Sequence, residues 1–136
     1  MKSDSQPSHI ERTMRRLSKD PSQRNRFAVY GALLSAQLVV PLKENATQRD
    51  SLPVFGDLAI DESMDGQGAQ VVFTDDTQLP RWRQGGGPRA RVAGKLLFPL
   101  LAAGGCRALL INPKGHVGGM LYGHEVQSIA EAALRS

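Results

Sequence analysis

The sequence predicts one α/β domain: a mixed, partly antiparallel sheet of about five strands, with two amino-terminal helices and a carboxy-terminal helix packed on it. Three observations carry that expectation. Capping signals introduce two apolar-periodic segments before residue 36, and short β-rich runs bounded by Pro, Gly or polar clusters follow. From Gln70 to Leu134 the order is strand, short helix, Gly-rich loop, Leu-rich helix, strand, Gly-rich turn and helix. A length of 136 residues, 40% of them hydrophobic, suits a single domain able to bury a core.

Residues 1–7 read as a disordered lead, and residues 8–136 as the domain, divided into a helical segment 8–36 and a sheet-containing body 37–136. Ser8 and Glu11 have capping-box spacing, and Ile10, Met14 and Leu17 follow on one face of a short amphipathic helix that has to dock to be stable. Asp20-Pro21, with Gln23 three places after Asp20, starts a second helix bearing Phe27, Tyr30, Leu33 and Leu34. Gln37–Leu42 is the first strand. Leu52–Phe55 opens a second strand reaching toward Ile60, the acidic stretch Asp61–Gly68 is a turn, and Ala69–Phe73 is a third strand. Short connections make these three an antiparallel meander.

Thr74 or Asp76 caps a short helix through Trp82, limited by Pro80. Gln84–Pro88 is a loop and Arg89–Ala93 another short strand. Gly94–Ala103 is a helix with Leu96, Leu97, Leu100 and Leu101 inward, a kink or late start at Pro99, and Gly104-Gly105 as its stop. Ala108–Ile111 is a buried strand closed by Asn112-Pro113. Met120–Tyr122 is a last strand, and the closing helix turns Val126, Ile129, Ala130, Ala133 and Leu134 to one face.

These elements resemble the amino-terminal domain of the SseB family of bacterial proteins. The likeness runs from Phe27 to Leu134 and rests on Val39-Val40-Pro41-Leu42, Leu52-Pro53-Val54-Phe55, Val72-Phe73-Thr74-Asp75, Trp82, Val92–Leu97 and Leu110-Ile111-Asn112-Pro113, in that order. The resemblance implies a compact α/β fold in which a mixed sheet carries helices. It implies no catalytic motif, cofactor or ligand.

The residues themselves supply no reaction. The three histidines lack zinc-motif spacing, and Asp75-Asp76 are too few converging ligands for a metal, so neither metal nor cofactor is expected. Cys106, the single cysteine, excludes an internal disulfide and reads as a small buried hydrophobe rather than a nucleophile. Gly85-Gly86-Gly87 lacks the Lys-Ser/Thr of a phosphate-binding loop. Aromatic content of 5% without a recognition motif argues against nucleic acid. The polar first 26 residues hold no secretory signal and no apolar run is long enough to span a bilayer, so a cytoplasmic, non-membrane protein is expected.

Charge is uneven: residues 1–26 carry seven Lys/Arg against three Asp/Glu, 27–80 two against eight, and 81–136 eight against two. Folding the segments against one another interleaves such blocks. The functional expectation is a non-catalytic protein–protein interaction or regulatory module whose surface comprises Arg81, Trp82, Arg83, Arg89, Arg91 and Arg107, together with the Asn112–Tyr122 turn, and whose partner is acidic at the contact. One alternative is a small-molecule sensor or enzyme with a pocket near Asp75, Asn112 and His116. Another is an immunity or chaperone-like protein for a toxic or secreted partner.

Overall fold

The computed structural model describes residues 9–46, 52–64, 67–115 and 117–135; the expected lead, the Ser8 cap and His116 lie outside them. In chain order the elements are α1 (His9–Lys19), α2 (Gln23–Ser35), β1 (Gln37–Pro41), a 3₁₀ turn (Phe55–Asp57), β2 (Ile60–Met64), β3 (Gln67–Val72), α3 (Leu79–Trp82), β4 (Arg89–Ala93), α4 (Gly94–Ala103), β5 (Ala108–Ile111), β6 (Gly119–Tyr122) and α5 (Gly123–Arg135). The α/β class holds. None of these helices is long and apolar enough to cross a membrane.

The strands form a four-stranded mixed sheet, β2-β3-β5-β6, and a two-stranded antiparallel ribbon, β1-β4. β3 and β5 are parallel, with Val72 opposite Ile111; the other pairs are antiparallel. Two isolated bridges, Val39 with Phe73 and Leu42 with Leu58, let β1 continue the edge of β3 where β2 leaves it.

Of the expected meander only the antiparallel β2–β3 pair forms, with a single antiparallel bridge, Leu42 to Leu58, linking the end of β1 to the segment before β2. β1 takes β4 as its partner, although some fifty residues separate them, because Leu38, Val40, Ala90 and Val92 all point into the same apolar core. The second strand begins at Ile60 rather than Leu52, since Phe55-Gly56-Asp57 winds into a 3₁₀ turn. Asp61 and Glu62, read from their charge as a turn, belong to β2, an edge strand where Glu62 stays exposed to water and Asp61 accepts a side-chain hydrogen bond.

α1 docks as its apolar stripe requires: Ile10 and Met14 are buried in the main core, and the Thr13 hydroxyl donates to the Ile10 carbonyl at 2.7 Å. Ser22, not Asp20, caps α2, its hydroxyl accepting the Asn25 N–H at 3.2 Å. Asp20 instead closes α1: its N–H reaches the Arg16 carbonyl, and its own carbonyl accepts from Ser22 N–H and the Asn25 side chain. Pro21 therefore falls in the corner between the helices.

α4 runs unbroken from Gly94 with Pro99 inside it. Leu97, Phe98 and Leu101 are its buried side chains, each worth about 1.5–3 kcal/mol of burial; Leu96 is 58% exposed, contrary to its expected inward position. A Schellman motif ends the helix. Cys106 N–H donates to the Leu101 carbonyl, Gly105 N–H to that of Ala102, and Gly105 takes φ 80°. On α5, Val126, Ile129 and Ala130 face the core as expected, whereas Leu134 is 76% exposed.

Helices α1, α2, α4 and α5 share the main core on one side of the sheet. The other side has only a small cluster, Val39, Val71, Phe73 and Leu79 with Trp82 beside it, beneath the four-residue α3. Gly94 makes the tightest backbone approach: a Cβ there would stand 1.9 Å from the Leu33 carbonyl oxygen at the end of α2. Gly31, in mid-α2, would meet nothing within 4 Å. Gly94→Ala is therefore expected to destabilise at the upper end of the roughly 1–3 kcal/mol range for overpacking. Gly31→Ala should stabilise by about 0.5–1 kcal/mol through helix propensity. Urea denaturation midpoints of the two variants check both signs.

Candidate functional site

Trp82 stands where the thinly covered sheet face opens. Pro80 occupies the first turn of α3, where a missing N–H leaves no hydrogen bond unmade, and the helix has no side-chain cap. Neither Thr74, which pairs with Asn112, nor Asp76 fills the capping role expected of it. Asp75 Oδ1 accepts from the Thr77 N–H at 2.9 Å and the Thr77 hydroxyl at 2.5 Å, a local Asx turn. Asp76 accepts from Arg89 at 3.3 Å and from Arg91.

The Trp82 ring lies 6.0 Å from that of Phe73, tilted at 52°, and its indole N–H donates to Asp61 Oδ2 at 2.6 Å. Trp82 and Arg83 border a concavity of ≈ 580 Å³ with Ile60, Asp61, Leu110 and Lys114. Lys114 holds φ 67° in the left-handed region, where a lysine is uncommon.

The six residues expected at the site do not share one role. Arg83 stacks its guanidinium 5.5 Å from the Trp82 ring centroid and donates to three carbonyls: Gly86 at 2.8 Å, Leu42 at 2.8 Å and Pro88 at 3.0 Å. Burial is the main cause holding it below the usual arginine pKa; Glu44 opposes this and Arg89 adds to it. Arg83 thus fastens the glycine loop to the end of β1. Arg89 and Arg91 share Asp76, and Arg81 is exposed. Arg107 precedes the amino end of β5, whereas β3 leads toward the Asp76 loop from its carboxyl end, so the topology sets Arg107 apart from the others.

Asn112, also expected near a pocket, is 1% exposed and fully engaged. Its Oδ1 accepts the Thr74 N–H at 3.0 Å, and its Nδ2 donates to Thr74 Oγ1 and the Val117 carbonyl, both at 3.1 Å. Cys106 is buried, its thiol directed to the Ala108 carbonyl at 3.3 Å, and burial pushes its pKa up to about 11 against weaker backbone hydrogen bonds. Among the described residues no group of three His, Cys, Asp or Glu is placed to hold a metal ion.

A second surface escaped the sequence reading. Between α2 and α5 lies a groove of ≈ 810 Å³ lined by Phe27, Tyr30, Gly31, Leu34, Tyr122 and Ile129, among others. Phe27 is 58% and Tyr122 53% exposed; Phe27 neighbours Tyr30, and the Tyr122 ring stacks on His124 at 6.1 Å. Below them Glu125 is buried, with Oε2 accepting from Tyr30 Oη at 2.5 Å and Arg26 at 3.3 Å, and Oε1 from the Tyr122 N–H at 3.1 Å. Burial pushes Glu125 up, but these three donors outweigh it and leave its pKa below the ordinary carboxyl value. Burial first, then Glu125, raises the Tyr30 phenol to about 12.

The signal for this groove was present in α2. Its buried residues Asn25, Val29, Ala32 and Leu33 make one stripe; Tyr30 and Leu34 pack half-buried at its border, and Phe27 is left exposed.

A mixed sheet with four helices on one face and one short helix on the other defines a small α/β domain. Its family follows from sequence: the model of the SseB protein N-terminal domain matches residues 10–128, nearly the whole chain, and the chain belongs to that family. No curated protein and no solved structure matches it.

Two outcomes test these environments. Native Cys106 should have about 100-fold less thiolate than an ordinary cysteine of pKa 9.0, so thiol-reagent labelling at pH 8 should stay slow until denaturant is added. Glu125, with its folded pKa lowered, contributes stability that is complete above pH 4.5 and lost as pH falls below it. Glu125→Gln should therefore flatten the acid limb of stability measured by denaturation between pH 3 and 6.

Proposed function

We propose that this SseB-domain chain is a non-catalytic protein-interaction module that docks through the open face of the sheet around Trp82. The observation that carries the reading is the unequal cover of the two faces. Four helices bury one side, while the other leaves Ile60, Trp82 and Leu110 around an open concavity. Trp82 is held by Phe73 beneath it and Asp61 beside it, so little side-chain entropy is lost when a partner covers it.

The cations available for contact are Arg81 and Lys114. Arg83, Arg89 and Arg91 serve the loop architecture. Carboxylates of a partner would face Lys114, which lines the concavity with Asp61 and Glu62, and Arg81, exposed on the neighbouring α3; the strained φ of Lys114 keeps a cation at a turn position where glycine is sterically easier. The engagement of Cys106, Asp75 and Asn112 in the scaffold supports a non-catalytic role.

Affinity capture from the native host is the test. Arg81→Glu with Lys114→Glu should reduce recovery of a specific partner by about tenfold or more. Trp82→Phe, which keeps the packing and removes the indole N–H, separates ring contact from hydrogen bonding. Unchanged recovery with the charge-reversed variant would reject this surface.

A further inference from the structure

We propose that β4 is an open sheet edge that accepts an added strand from a partner protein, one that carries Asp or Glu across from Arg91. No residue of β4 lines the Trp82 concavity, so either assignment can fail without the other.

Backbone direction is the first argument. β1 and β4 exchange hydrogen bonds at alternate residues: Leu42 N–H donates to the Pro88 carbonyl and Gly94 N–H to that of Ala36, each at 2.9 Å. Carried through the register, that alternation turns the backbone groups of Ala90 and Val92 toward β1 and those of Arg89, Arg91 and Ala93 away from it. Val39, opposite Arg91, agrees: it exchanges both its hydrogen bonds with Phe73 on the far side. No strand lies beyond β4. Among the described residues nothing bonds the N–H and C=O of Arg89 and Arg91 or the N–H of Ala93. These groups are one half of a ladder, which an extended chain completes and a helix cannot.

The other edges are obstructed. In β6 the Tyr122 N–H is taken by the Glu125 side chain at 3.1 Å. β2 loses its register between Asp61 and Met64, which breaks the even row of donors and acceptors that a strand needs. β4 keeps its register unbroken from Arg89 to Ala93.

Charge narrows the partner. Arg89 and Arg91 share the single carboxylate of Asp76, so one positive charge at this edge has no counterpart, and Arg91 is the more exposed of the two. Cations on an edge strand turn away most incoming strands. A strand with an acid beside Arg91 is the exception, since opposite charges directly across a ladder attract. A second copy is disfavoured on the same ground: β4 against β4 about a twofold axis sets like charges side by side.

The probes are synthetic peptides of roughly seven residues, an ordinary strand length, alternating Val with Glu or Val with Lys. In the free ¹⁵N-labelled full chain, the amides of Arg89, Arg91 and Ala93 should exchange with solvent far faster than those of Ala90 and Val92. The Val-Glu peptide should slow exchange at those three and shift them saturably, binding at least about fivefold tighter than the Val-Lys peptide. Two further versions of the Val-Glu peptide carry backbone N-methyl groups, on every Glu or on every Val. Only one side of a strand can face β4, so one version should lose binding and the other keep it. Arg91→Glu should reverse the preference toward the Val-Lys peptide. Arg91→Pro, which removes an N–H that the native ladder does not use, should abolish binding while the circular dichroism stays native.

Equal affinity for the Glu and Lys peptides, loss of binding in both methylated versions or in neither, or no binding at all overturns the proposal. So does slow exchange at Arg89, Arg91 and Ala93 in the free chain, which means the edge is already covered. Self-association in light scattering that Arg91→Pro abolishes also overturns it, because it assigns the edge to a second copy.

Discussion

The buried amide of Asn112 is the contact on which the rest of the architecture depends. A parallel strand pair sends both chains out at the same end, and here the loops after β3 and β5 must turn away side by side. Their backbone groups need partners that the ladder no longer supplies. Asn112 supplies them: its side chain bonds Thr74 twice and the Val117 carbonyl once, while its own N–H continues the ladder to Val72. Its φ of 51° is one that asparagine tolerates better than most residues. The carboxyl ends of parallel strands are where α/β sheets usually open a ligand crevice. In this chain a satisfied amide occupies that point.

The same economy governs the side chains that look most reactive in sequence. Arg83 spends its guanidinium on three carbonyls that would otherwise leave the glycine loop untethered. Asp76, from the acidic middle of the chain, holds Arg89 and Arg91 from the basic last third, and Glu125 from that third holds Arg26 from the first. The charge blocks of the sequence interleave at these pairs. Cys106 serves as the apolar residue that follows a left-handed glycine at a helix end, packing in the same core as Leu101, three residues before the Gly104 cap.

What could be read in advance followed the range of the interaction. β4, α4 and β5 are set by local periodicity and by glycine stops, and their expected limits hold. Partner choice is not local. Nothing in residues 37–73 announces that β1 prefers β4 to its neighbour in sequence, because that choice is made by a core shared with α2 and α4. The arginines divide between roles for a related reason: Arg83's acceptors are backbone carbonyls, which no residue type reveals. Asp61 and Glu62 looked like a turn since charge is a poor guide at a sheet edge, where one face of the strand remains in water.

α2 poses a different problem, because its apolar surface exceeds what its own fold can bury. Val29 and Leu33 complete the core and Tyr30 and Leu34 pack against its border, which leaves Phe27 as the apolar side chain in excess. Phe27 keeps a tilted ring contact with Tyr30, yet at 58% exposed so large a side chain forgoes most of its burial energy. Gly31 beside it lowers helix propensity without relieving any clash.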